Sequence, residues 1–117
     1  MHELSIIRNI FSIVEQKMDN LYGGHLGKRV ARVNLMIGAF STVIPECMHF
    51  NFEVARRGTI FSDAELVIKI IPLEIYCKEC KKNSEPAEPV FVCPICDGND
   101  VEIIKGRDLR VESFEID

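Results

Sequence analysis

With 117 residues, 47% of them apolar, the chain can build one modest domain with a genuine core, or a domain plus a small insert; wholesale disorder is not expected. Its formal net charge of −4 argues against a duplex nucleic-acid binder, whose affinity must come from neutralising phosphates. Apolar runs such as LVIKII stop well short of a membrane span, and MHELSIIRNIF lacks the basic and long apolar regions of a secretory signal, so a cytoplasmic protein with reduced thiols is expected.

Residues 4–22 read as an amphipathic helix, because Leu4, Ile7, Phe11, Val14, Met18 and Leu21 recur at steps of three and four. Arg8, Glu15, Lys17 and Asp19 take the other face, and Gly23-Gly24 ends the helix. Residues 28–37 alternate as a strand, with Ala31, Val33, Leu35 and Ile37 on one face and Arg32 and Asn34 on the other. After a turn, Pro45 suits the first turn of a second helix over 45–57, with Met48, Phe52 and Ala55 facing the core and Gly58 as its stop. A second strand covers 64–71, with Leu66, Ile68 and Ile70 inward, and Pro72 marks its exit.

The most specific pattern follows: CKEC at 77–80, twelve residues, then CPIC at 93–96. Each C-x2-C turns the chain tightly enough for both sulfurs to reach one ion, and two such turns supply a closed tetrahedral thiolate set that suits a structural zinc. Two disulfides fit poorly with an odd cysteine count and no secretory signal, and a redox C-x2-C ordinarily stands alone beside a βαβ pattern. Iron, as in rubredoxin-like sites, is the alternative metal. Pro94 and Asp97-Gly98 shape the second turn, and NSEPAEP at 83–89 reads as a loop tip. A short strand at 101–104 and a last strand at 109–116 close the chain. In the latter, Leu109 and Val111 share one phase and Phe114 and Ile116 the other, which a bulge near Ser113 or burial of both faces would explain.

The fold class is therefore α+β: two helices packed on a three-stranded sheet, with an inserted four-cysteine, zinc-ribbon-like unit. The domain boundaries expected are 1–76 for the main domain, 77–106 for the zinc-binding insert and 107–117 for the last strand of the main domain. An insert with so little core needs its metal to stay folded.

Met1-His2-Glu3 is the second place where chemistry could live. A terminal amine, the His2 backbone nitrogen and its imidazole can close adjacent chelate rings on Ni²⁺ or Cu²⁺, which accept planar nitrogen-rich sites. Taken from those residues alone, a frayed terminus with a solvated histidine is the simpler reading. His25, His49 and the lone Cys47 likewise read as ordinary surface or packed side chains rather than ligands.

The initiating Met-His-Glu ahead of an amphipathic helix, the CxxC…CPxC pair, VIPECMHFNFEVARRGT, AELVIKIIP and the closing strand together resemble the HypA/HybF family of hydrogenase nickel-incorporation proteins. The resemblance implies a nickel metallochaperone, not an enzyme, which binds Ni(II) at its N-terminus and delivers it during maturation of nickel–iron hydrogenase. It implies nickel ligation by His2 with Met1 and Glu3, and structural zinc held by Cys77, Cys80, Cys93 and Cys96. It also implies a HypB-type nickel GTPase and the hydrogenase large-subunit precursor as partners, with urease as a further client in some organisms; composition points to no nucleic acid and no membrane as partners, and a homodimer stays open. The absence of a nucleophile elbow, phosphate-cradling loop or H-E-x-x-H agrees with a non-enzyme. The competing reading is a zinc-ribbon module for nucleic acid or protein, against which the acidic balance counts for the nucleic-acid case.

Overall fold

The structure, a computed structural model, describes residues 3–88 and 91–117, so the expected nickel ligands Met1 and His2, and the Pro89 end of the NSEPAEP stretch, lie outside the described residues. Its elements run α1 (Glu3–Tyr22), β1 (Val30–Gly38), α2 (Pro45–Ala55), β2 (Glu65–Ile71), β3 (Glu74–Cys77), β4 (Lys82–Ser84), β5 (Val101–Lys105) and β6 (Leu109–Ile116). Two three-stranded sheets result, in the orders β2-β1-β6 and β4-β3-β5. The α+β class and the three-stranded main sheet are those expected; β3 and β4 are additions. They escape the alternation argument because Glu74–Cys77 and Lys82–Ser84 are too short to show a period. Asn83 and Ser84, read from sequence as loop, pair in β4.

By contacts the chain divides into two compact units: residues 1–35, 43–68 and 111–117 in one, residues 36–42 and 69–110 in the other. The first contains α1 and α2. The wide apolar face of α1 buries Ile7, Ile10, Phe11, Val14 and Met18. Two expected core positions differ: Leu4 is only half-buried and Leu21 is 60% exposed, because the buried face is centred on the middle turns and takes in Ile10 in their place. Phe11 joins α1 to its surroundings. Its ring stacks on Phe61 at a centroid distance of 4.0 Å and meets Phe52 of α2 edge-on at 5.7 Å. Phe61 is fully buried in the turn after α2, a position without periodicity and therefore silent in the sequence.

In β1 the buried residues are Val30, Val33, Leu35 and Ile37, while Ala31, expected inward, is exposed. The start of the strand is anchored by Val30, whose N–H donates to the Ile60 carbonyl at 2.9 Å, and the larger apolar side chain takes the inner place. α2 starts at Pro45, which needs no N–H partner in a first turn, after an extended Ile44. It closes at Ala55, short of the expected 57, where Arg56 binds the Ala64 carbonyl at 2.8 Å and the Glu53 carboxylate at 2.7 Å; Ala55 is half-buried. Along β2, an outer strand, burial fades from Ala64 and Leu66 to a half-buried Ile68 and a 49% exposed Ile70, so the full inward alternation expected there is not realised.

In the second unit the backbone crosses itself at two glycines. Gly38 donates to the Asp108 carbonyl at 2.8 Å, Ala39 to Ile71 at 2.8 Å and Phe40 to Gly106 at 2.7 Å. A side chain at Gly38 would run into the Gly106–Arg107 peptide, and one at Gly106 (φ +100°) into Pro72–Leu73. Gly38→Ala is expected to lower stability by about 1–3 kcal/mol through overpacking against backbone that cannot rotate away. Phe61→Ala is expected to cost about 3–5 kcal/mol, whereas the exposed Leu21→Ala changes little. Denaturant unfolding of the three variants checks both expectations.

Candidate metal centre

The centre is built by β3 and two turns of the same design. β3 lies between β4 and β5, with Cys77 opposite Lys82 on one side and Val101 on the other. From the end of β3 the chain turns through Cys77–Cys80, and Lys81 returns its N–H to the Cys77 carbonyl at 2.8 Å. The second turn repeats this: Asp97 donates to the Cys93 carbonyl, also at 2.8 Å. Lys81 (φ 60°) and Asp97 (φ 62°) both take the left-handed conformation that closes such a turn. The sequence marks Asp97-Gly98 together as shaping the second turn. The structure gives the left-handed position to Asp97, and the missing side chain of Gly98 instead leaves room for the Glu79 carboxylate and the Cys96 sulfur. A lysine and an aspartate at left-handed positions give no sequence signal that a glycine would have given.

The four sulfurs of Cys77, Cys80, Cys93 and Cys96 lie within 4.8 Å of one another. Cys77 and Cys96 are 3.6 Å apart and Cys80 and Cys93 3.7 Å, in both cases between turns. A tetrahedron with Zn–S bonds of about 2.3 Å has edges of about 3.8 Å, so these two separations across the turns match a zinc site. With four protein donors the geometry is closed to water and substrate, as a structural site requires. Cys77 and Cys93 are fully buried, Cys80 is half-buried and Cys96 exposed. The centre therefore sits just under the surface.

Main-chain donors prepare the sulfurs for charge. The Cys80 N–H points at the Cys77 sulfur (3.5 Å) and the Ile95 N–H at the Cys93 sulfur (3.4 Å). Backbone donation, chiefly from Cys96 and assisted by Ile95 against the effect of burial, lowers the Cys93 thiol to about 7. The neighbours move the other way. Cys96 accepts from the Gly98 N–H, which favours its thiolate, yet the Cys77 sulfur and burial outweigh that and push it up to about 12. Burial, followed by the Cys93 and Cys77 sulfurs, raises Cys80. Four adjacent thiols cannot all ionise without a cation among them, and a divalent metal supplies it.

The remaining candidates stand apart from this cluster. Glu3 is the first residue of α1 and half-buried, at the helix end where a carboxylate is favoured. His25 is held by two carboxylates of α1, Asp19 at 2.8 Å and Glu15 at 3.4 Å. His49 is exposed, and Cys47 is half-buried on α2. Among the described residues, the four cysteines are the one group of three or more metal-ligating side chains drawn together. No helix among them is long and apolar enough to cross a membrane.

A family model described as hydrogenase/urease nickel incorporation, metallochaperone, hypA matches residues 1–116. Among curated proteins, hydrogenase maturation factor HypA of Trichodesmium erythraeum is 32% identical over 117 residues, covering 100% of this chain and 96% of that protein. The HypA of Aquifex aeolicus is also 32% identical, with 100% and 98% covered, and that of Chloroflexus aurantiacus 34% identical, with 98% of each covered. The solution structure of the Ni metallochaperone HypA from Helicobacter pylori superposes with a TM-score of 0.70 at 26% identity, over 99% of this chain and 97% of that one.

Zinc retention is expected to fall as pH falls, since protons compete for each sulfur. Below about 7 even the Cys93 thiol is protonated, and above it the first thiolate is already formed. A zinc-indicator titration across pH checks the sign; retention that rose on acidification would contradict it.

Proposed function

This chain belongs to the HypA hydrogenase/urease nickel-incorporation family, and from that premise we propose that it receives Ni(II) at its N-terminus and hands it on during maturation of nickel–iron hydrogenase. The observation that carries this reading is the reach of the match: it starts at residue 1, so the Met-His-Glu start falls within the family pattern rather than before it. His2 serves as the principal nickel ligand through its imidazole, with the Met1 amine and Glu3 completing or supporting the set. Cys77, Cys80, Cys93 and Cys96 hold zinc, whose part is to keep the two turns folded.

The division of labour follows from the donors. Four thiolates with no open position suit an ion that stays. A terminal amine, an imidazole and a carboxylate suit an ion that leaves, because each donor can be reprotonated or withdrawn singly. Affinity order alone would favour copper over nickel, so the preference for nickel has to come from coordination geometry. A HypB-type nickel GTPase as source and the hydrogenase large-subunit precursor as recipient complete the reading, which places the protein in the cytoplasm and gives it no catalytic step of its own.

His2→Ala is expected to abolish tight nickel binding while zinc content and fold are retained. Extending the N-terminus by a few residues is expected to weaken nickel binding by moving the amine. Nickel titration with parallel zinc analysis decides: unchanged affinity in both variants would leave the terminus out of the site. Cys77→Ala is expected to do the opposite, lowering zinc retention and loosening β3–β5 while the α1–α2 core survives.

A further inference from the structure

One side-chain cluster stands apart from both the cysteine centre and the chain start. The chain leaves α1 through Gly23 (φ +75°), whose N–H still donates to the Asp19 carbonyl at 3.0 Å, and turns back so that His25 lies against the helix it has just left. The Lys28 N–H closes on the His25 carbonyl at 3.2 Å, which fixes the backbone at the histidine. Glu15 and Asp19, four residues apart, share one face of α1. His25 meets both: Nδ1 lies 2.8 Å from Asp19 Oδ1, and Nε2 lies 3.4 Å from Glu15 Oε2. Glu15 and His25 also line an open cavity of about 520 Å³, together with Lys28, Arg29 and the turn after α2.

The two contacts are not equivalent. An ionised carboxylate only accepts, so in the 2.8 Å contact Nδ1–H donates to Asp19, which leaves the lone pair of the neutral ring on Nε2. That lone pair then faces those of Glu15 Oε2, an arrangement that needs a cation between the two atoms. A proton is one such cation, but a charge-assisted N–H to carboxylate bond closes to about 2.7–2.9 Å. Two donors on one tetrahedral zinc ion, with Zn–N and Zn–O bonds of about 2.0–2.2 Å, stand about 3.4 Å apart, which is the separation found. Neighbouring donors on a planar or octahedral ion with bonds of that length stand only about 3.0 Å apart.

We propose that His25 Nε2 and Glu15 form a second, exchangeable site for a tetrahedral divalent ion of the zinc class, with Asp19 orienting the imidazole and water from the cavity completing the coordination. A carboxylate behind a ligating histidine fixes the ring and raises the basicity of the nitrogen that binds. The local field favours a cation. Asp19 opens the last turn of α1, which holds no basic residue, so the negative end of the helix acts in the same sense as the two carboxylates. Of the two bases that line the cavity, Arg29 is engaged by Asp63, and Lys28 opposes the ion. Two protein donors and an open face let this ion exchange, in contrast to the closed four-thiolate set.

Zinc titration of the full-length His2→Ala variant, with its cysteine site already filled, tests the proposal apart from the chain start. The expected result is one further zinc per chain, removed by a mild chelator that leaves the cysteine zinc in place. Amide shifts are expected around residues 15–28 and the turn after α2, and the ring nitrogens of His25, followed by NMR, are expected to keep Nδ1 protonated while Nε2 takes the metal. Asp19→Asn is expected to weaken this binding about tenfold through a loosened ring, and His25→Ala or Glu15→Gln more than that. No second zinc at millimolar metal would overturn the proposal, as would binding indifferent to His25→Ala and Glu15→Gln. An imidazole that carries protons on both nitrogens throughout the titration would also overturn it, since His25 and Glu15 would then be an ion pair only. The ring signals are read with His25, Glu15 and Asp19 all in place, so they decide the matter even if a variant at one of those positions fails to fold.

Discussion

Four sulfurs confined within 4.8 Å of one another are the constraint from which the cysteine-bearing unit takes its form. Left as thiols they resist ionisation together; around one divalent ion they become a closed set of donors. Everything local serves that grouping. The two turns repeat the same hydrogen bond and the same left-handed residue, and β3 delivers Cys77 from the centre of its sheet. A stretch this short has too little apolar material to hold such turns by burial alone, and the ion replaces a core.

The helical unit is organised differently. Its order comes from aromatic packing, with Phe11 between Phe52 and Phe61 and the apolar face of α1 spread around it. That packing holds the buried face of Glu3–Tyr22 in place. In the proposed function the two metals make opposite demands, retention at the cysteines and release at the other site. Thiolate donors closed around an ion meet the first of these demands.

Much of this is legible in the residues. The helices, the long strands and the cysteine spacing are periodic or patterned, and patterns of that kind follow from local geometry. The misreadings have a common cause. Leu21 and Ile70 have the right spacing to be buried yet are exposed, while Phe61 has no spacing at all and is completely buried. Lys81 and Asp97 adopt left-handed turns without being glycine, because the hydrogen bonds to the cysteine carbonyls hold them there. In each case the deciding neighbour is distant in sequence or is a main-chain group that composition does not reveal.

By itself, then, the sequence determined the class of fold, the four sulfur donors and the family pattern that begins at the first residue, because spacing along a chain dictates which side chains a single turn or helix face can bring together. The tertiary structure alone decided that the two cysteine turns meet at distances that match a tetrahedral site, and that Gly38 and Gly106 are required by a backbone crossing. Those are relations between segments far apart in the chain, and they exist only once packing and strand pairing have chosen which segments are neighbours.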